Sequence, residues 1–277
     1  MNNRYGYRTA QNAEFMARMW GKSLDKRDWF AVKEESDIAE IRIYDVIGWP
    51  FIEAEDFLQA LDGIKADTVN LRINSPGGDV FDGTAIYNAI KVHPATFNAQ
   101  IEGLAASMAS IIPLAADTIS IADNAWYMIH NPWTFMLGDY HDLRKEADLL
   151  ERMAGVMANT YGQKTGEKSD KIIGWMDDET WFTGEDAVKN GFADSVTETG
   201  GKAAKFNAAI FNNTPENIEE IINNRKLSAR DAERSLRDAG FSRSVAKAIV
   251  ARGFGQREAG DKEERVKADE INRIFSF

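Results

Sequence analysis

The stretch Gly103-Leu104-Ala105-Ala106-Ser107-Met108-Ala109-Ser110, followed downstream by Met128-Ile129-His130-Asn131-Pro132, decides how this chain is read. In the first segment a serine among small residues opens an apolar helix. In the second a histidine ends an apolar strand. The interval between them has room for one strand crossing, so both side chains can reach one end of a sheet. A hydroxyl and an imidazole placed together in this way make a serine hydrolase the leading reading.

Around these segments, strand-like and helix-like patterns alternate. Residues 39–44 and 68–74 show the period-2 alternation of half-buried strands, and 97–104, 118–121 and 126–129 are short apolar strands. Helical spacing covers 53–61, 80–92, 107–116, 142–161, 168–176 and 183–190. Ser75-Pro76-Gly77-Gly78-Asp79 is a turn by composition. Thr183 with Asp186 three positions on supplies a capping pattern, and Gly191 supplies a stop. Such alternation predicts an α/β body with parallel strands. Residues 1–36 read as a flexible leader with a short helix over 13–20, residues 37–197 as the body, and 198–214 as a linker. Residues 215–277 read as a helical, partly disordered tail with helices over 215–224, 228–239 and 242–252.

Composition narrows the chemistry. The chain has 277 residues, of which 44% are hydrophobic, enough for a sizeable core. It has no cysteine, which removes disulfides, thiolate metal sites and cysteine nucleophiles. Its three histidines, His93, His130 and His141, are too few for a histidine-rich metal centre, and nothing calls for a cofactor. No apolar run is long enough to span a bilayer, and the first residues lack the apolar block of a secretory signal. The expectation is a soluble protein of a reducing cytoplasm. Net charge is −11. From Gly201 onward there are 15 basic and 12 acidic residues, which leaves 18 and 32 in the first 200. So acidic a body argues against a nucleic-acid partner.

A serine hydroxyl needs a base to take its proton and donors to hold the oxyanion that follows. Ser107 stands at a helix start, where unpaired N–H groups favour negative charge, and the Met108 N–H would face a developing oxyanion. Pro76-Gly77-Gly78 can supply a second donor, because glycine permits close backbone approach. His130, at a strand end, is the best base. Asp177, Asp178 and Glu179 are candidates for the group that orients it. Each piece alone has a plainer reading. Ser107 could be a cap or a packing residue, Ser110 a packing residue, His130 a structural residue, Gly77-Gly78 a turn, and residues 177–179 a solvated loop. Their joint occurrence, in order within an alternating α/β body, favours the chemical reading.

Three segments, Ile73-Asn74-Ser75-Pro76-Gly77-Gly78, Gly103-Leu104-Ala105-Ala106-Ser107-Met108 and Met128-Ile129-His130-Asn131-Pro132, together resemble the ClpP-type serine peptidases over about residues 38–196. The resemblance implies a spiral of ββα units shared with the crotonase group, here with an appended helical C-terminal tail. It implies Ser107 as nucleophile, His130 as base, and Gly78 with Met108 as oxyanion donors. The third member departs from the family pattern. Aligning on Thr183-Gly184-Glu185-Asp186-Ala187 puts Glu179 where the family has aspartate, with Asp178 as the backup.

Leader, core and charged helical tail together look like the ClpP-related head maturation proteases of tailed phages. That resemblance implies an endopeptidase with no ATPase motif of its own, cutting scaffold and capsid proteins, and in some cases itself, inside an assembling prohead in the host cytoplasm. It also implies ring homo-oligomers, some of them stacked, with helix 142–161 at the ring junction. The apolar face of that helix, Leu143, Leu149, Leu150, Met153 and Val156, suits a partner helix or the chain's own body equally well. The alternatives are a housekeeping ClpP-like peptidase, a catalytically inactive ring-forming assembly protein, and a crotonase-type acyl-CoA enzyme.

Overall fold

In the computed structural model the described residues are 10–22, 24, 30–35, 37–198, 210–215, 243 and 247. The chain divides into two compact units, Met1–Lys226 and Leu227–Phe277. Arg243 and Lys247, both helical, are the described residues of the second unit. The helices expected over 215–224, 228–239 and 242–252 and the charged end of the tail therefore lie outside the described residues, apart from Pro215 and these two positions.

The first unit is built on one eight-stranded sheet. Its strands are β1 (Phe30–Glu35), β2 (Ile38–Ile43), β3 (Thr68–Ser75), β4 (Thr96–Ala106), β5 (Thr118–Ala122), β6 (Trp126–Ile129), β7 (Thr180–Thr183) and β8 (Ser195–Thr197). The helices are α1 (Ala10–Met19), α2 (Ala54–Asp62), α3 (Val80–Val92), α4 (Met108–Ile111), α5 (Tyr140–Thr165), α6 (Ser169–Asp177) and α7 (Gly184–Lys189). Strands β2, β3, β4, β5 and β8 run parallel in that order, with β1 antiparallel on the β2 edge. The α/β reading of the body agrees with this architecture.

Alternation decides which face is core. Ala39, Ile41 and Ile43 of β2, Val69, Leu71 and Ile73 of β3, and Phe97, Ala99 and Ile101 of β4 all point inward. They meet Phe57 and Leu61 of α2 and Ile86 and Ile90 of α3. On the opposite face, Arg72 pairs with Glu102 and, at 3.3 Å, with Glu40. Caps fix where the helices start. Asp79 accepts the N–H groups of Phe81 and Asp82 to open α3, and Asp139 does the same for His141 and Asp142 at α5. Thr183 accepts the Asp186 N–H to open α7, as the sequence pattern predicts.

The site is positioned by a fork in β4. Residues Asn98–Ile101 pair with β5, whereas Leu104–Ala106 pair with β6, which in turn carries β7 antiparallel. Ser107 emerges at the end of the second branch, and His130 follows β6 directly.

The structure corrects four expectations. The span 1–36 is not a leader throughout: α1 docks through Ala17 and Trp20 onto Val46 and Phe51, and β1 adds an edge strand. The single helix over 107–116 is instead α4 followed by a 3₁₀ turn, Ile112–Ala115. Pro113 has no N–H to continue the α-helical ladder. Strand β7 has no counterpart in the sequence reading; its four residues carry too little periodicity. Finally, part of the span expected as a linker packs against the body: Phe211 and Thr214 are buried.

The docking of α1 can be tested in solution. Trp20→Ala should lower unfolding stability by about 3 kcal/mol, as expected for a buried tryptophan. A urea melt indistinguishable from that of the parent would show that α1 does not contribute to the core.

Candidate active site

Ser107 sits between β4 and α4 with φ 54 and ψ −128. Non-glycine residues rarely adopt such a conformation, which costs on the order of 1–3 kcal/mol and persists only where neighbours enforce it. Here they do. The Ser107 N–H donates to the Met128 carbonyl of β6 at 3.0 Å. Its own carbonyl accepts the Ser110 N–H at 2.9 Å and the Ser110 hydroxyl at 2.6 Å. The Ser107 peptide is thus clamped from both sides.

The turn after β3 presses against the same point. Gly77 (φ 96) comes so close that a Cβ on it would lie 2.6 Å from the Ala106 oxygen, 2.7 Å from Ser107 Cβ and 2.9 Å from the Met108 nitrogen. Gly78 (φ 147) bridges to Ile47, whose carbonyl a Cβ would meet at 2.0 Å. Only glycine fits at either position. Ile47 donates to the Gly77 carbonyl and accepts from the Asp79 N–H, so its bonds flank Gly78. Among the described residues neither the Gly78 N–H nor the Met108 N–H finds an acceptor. Both flank Ser107.

His130 is buried, and its Nε2 lies 2.7 Å from Ser107 Oγ. Its Nδ1 lies 3.8 Å from Glu179 Oε2, too long for a hydrogen bond but close enough for charge contact. Glu179 occupies the turn between α6 and β7 with φ 48. Of the three acidic candidates, Glu179 alone is brought to the imidazole. The exposed Asp178 instead offers its backbone carbonyl to Asn213 Nδ2 at 2.8 Å. Asp177 accepts from Asn131 Nδ2 at 2.7 Å.

The model of the Clp protease family matches residues 53–200. The chain belongs to the Clp protease family. It is 33% identical over 151 residues to ATP-dependent Clp protease proteolytic subunit 1 of Leifsonia xyli, covering 53% of this chain and 76% of the relative. It is 34% identical over 149 residues to subunit 3 of Rhodococcus jostii, covering 52% and 72%. Among solved structures it is similar to a ClpP1 point mutant from Listeria monocytogenes. That match has a TM-score of 0.52 and 27% identity, and it covers 59% of this chain and 92% of the other.

Two features of this Clp-family site lie beyond the sequence reading. The first is a buried hydroxyl relay behind Ser107. Ser110 Oγ lies 2.6 Å from the Tyr161 hydroxyl, and Tyr127 donates to the Ser110 carbonyl. Because Ser110 Oγ donates to the Ser107 carbonyl, Tyr161 is the donor to Ser110. Burial raises the pKa of both phenols, so they stay protonated and able to donate. Ser110, expected as a packing residue, is therefore a bonded part of the clamp.

The second feature is the segment 210–215. The Asn212 N–H donates to Glu179 Oε2 at 2.9 Å and the Asn213 N–H to Oε1 at 2.6 Å. Phe211 packs on Leu104, Ala106 and Met128, with its ring edge-on to His130 at 5.7 Å and to Trp181 at 5.4 Å. Backbone donors leave no mark in a sequence. The available signal is the apolar run Ala208-Ala209-Ile210-Phe211 just before the polar Asn212-Asn213-Thr214.

Burial pushes the Glu179 carboxyl up, but His130 and the two amide donors outweigh it and hold the pKa below its ordinary value of 4.5. Among the described residues no cluster of His, Asp or Glu is placed to hold a metal ion.

A carboxyl that ionises more readily in the folded chain adds stability above its unfolded pKa. It loses that contribution as pH falls through the lower folded value. Urea unfolding followed from pH 7 to well below pH 4.5 should therefore show, in the acid part of that range, a loss of stability that is smaller in Glu179→Gln. Identical slopes in the two proteins would contradict an ionised Glu179 in the folded state.

Proposed function

We propose that this Clp-family chain is a serine endopeptidase working through an acyl-enzyme, with Ser107 as nucleophile, His130 as general base and Glu179 as the acid that orients His130. The observation that carries this reading is the 2.7 Å contact between His130 Nε2 and Ser107 Oγ, on a serine whose backbone is held in a strained turn. His130 takes the hydroxyl proton as Ser107 attacks the peptide carbonyl. The Gly78 and Met108 N–H groups receive the oxyanion, each donor contributing on the order of 10²–10³ in rate. His130 then gives the proton to the leaving amine, and a water activated by the same imidazole releases the acyl group. Glu179 faces the imidazole, which suits an orienting role rather than the acid–base role that a crotonase-type acyl-CoA reaction would ask of it.

Ser107→Ala and His130→Ala should each lower peptide hydrolysis by about 10⁴-fold or more, and Ser107→Ala should abolish labelling by a fluorophosphonate probe. A parent protein that neither labels nor cleaves would instead support the inactive assembly reading.

We further propose self-association into rings, some of them stacked. On α5, Met157, Ala158 and Tyr161 dock on the body, whereas Leu143, Leu149 and Val156 stay exposed. Of the expected apolar face, Leu143, Leu149 and Val156 are exposed and Leu150 and Met153 half-buried, so the body leaves much of it open to a partner. The preceding loop adds exposed Trp133, Phe135 and Leu137. Such a surface favours a partner copy. Leu149→Asp should shift sedimentation to smaller species while leaving the far-UV spectrum unchanged; an unaltered sedimentation profile would contradict this role for α5.

The substrate assignment, scaffold and capsid subunits of a phage head, rests on the chain outside residues 53–200. The named relatives are Clp proteolytic subunits and lend it no support. Incubation with such subunits and intact-mass analysis should give Ser107-dependent fragments. Subunits left whole would remove this assignment and leave a Clp-type peptidase of other substrates.

A further inference from the structure

The triad acid is held by chain that lies outside the region matched to the family. Glu179 is 5% exposed, so each carboxylate oxygen needs donors to offset its lost hydration. Both oxygens receive one backbone N–H each, from Asn212 and Asn213. A third bond, from Asn213 Nδ2 to the Asp178 carbonyl, ties the same segment to the turn that carries Glu179. Phe211 is 3% exposed and anchors the segment beside the imidazole. The family match ends at residue 200, ten residues before this segment begins.

We propose that residues 210–215 are a positioning strap, whose Asn212 and Asn213 amides hold the Glu179 carboxylate in the orientation that lets it steer His130. The inference rests on the triad reading given above. The Glu179 side chain is long enough to adopt several rotamers, and its backbone is already in the left-handed region. Two fixed donors remove that freedom. They leave Oε2 within 3.8 Å of Nδ1, from which a small movement completes the hydrogen bond in the reacting state. The strap does not touch substrate in this role. It acts through Glu179, so its effect should appear in turnover rather than in substrate affinity, and only while Glu179 is present.

The test is a double-mutant cycle in the full chain. Asn212→Pro and Asn213→Pro each delete one donor. Each should lower kcat for a peptide substrate by about tenfold or more, with KM changed less than twofold and the rate of fluorophosphonate labelling falling in parallel. In a Glu179→Ala background the same substitutions should cost nothing further. Equal losses in both backgrounds, or no loss in the parent background, would overturn the strap. Should the proline variants fail to fold, amide hydrogen exchange decides: the amides of residues 212 and 213 should be protected in the parent and should lose protection in Glu179→Ala. Unchanged protection would overturn the proposal. A parent protein that shows no Ser107-dependent labelling would overturn the triad reading and the strap with it. Ser107-dependent labelling that is indifferent to strap changes would overturn the strap alone.

Discussion

The backbone bond from Ser107 N–H to the Met128 carbonyl is the constraint on which the site depends. It ties the first residue after β4 to the strand that His130 follows, so one hydrogen bond holds the Ser107 backbone beside the strand that carries the imidazole. It exists because β4 changes neighbour along its length, from β5 at Ile101 to β6 at Leu104. A strand paired to a single neighbour would carry Ser107 onward in an extended conformation. The fork turns it, and the positive φ at Ser107 records the cost of that turn. Packing at Gly77, where a Cβ cannot be accommodated, then closes the third side.

Behind the clamp, the relay from Tyr161 through Ser110 to the Ser107 carbonyl links α5 to the strained peptide. The buried end of α5, at Met157, Ala158 and Tyr161, therefore has a chemical as well as a packing role. The Tyr161 hydroxyl donates to Ser110 Oγ, whose own proton goes to the Ser107 carbonyl, so the buried serine is bonded on both sides. Helix α5 is thus anchored at the site by its C-terminal half, while its N-terminal half carries exposed leucines. Contacts made at one end are mechanically continuous with the support of Ser107 at the other.

What is legible in the sequence follows from what each feature leaves behind in residue types. Inward-facing alternation at Ile41, Ile43, Leu71 and Ile73 exposes β2 and β3, and helical spacing gives α3 its bounds. Ser107, His130 and the paired glycines are legible because each needs a particular side chain, or none, at one position. Features built from backbone atoms are not. The four residues of β7 are too few for a period, β1 and the docking of α1 lie in a stretch of mixed charge from which only a short helix over 13–20 is legible, and the donors at residues 212 and 213 are amides that any residue but proline would supply. Ser110 reads as packing because a buried serine and a buried alanine look alike in sequence until the phenol of Tyr161, 51 positions away, is brought beside it.

The acid at position 179 brings these threads together. A buried carboxylate beside a histidine requires charge balance and donors, and the turn after α6 supplies neither by itself. The Glu179 carboxylate lies between the imidazole, 3.8 Å from Oε2, and the amides at residues 212 and 213, at 2.9 and 2.6 Å. Glutamate spans that gap, and its length would be a liability without fixed donors at the far end. The reach of the Glu179 side chain and the return of the chain through residues 210–215 therefore act on one carboxylate, which meets the imidazole on one side and two amide donors on the other.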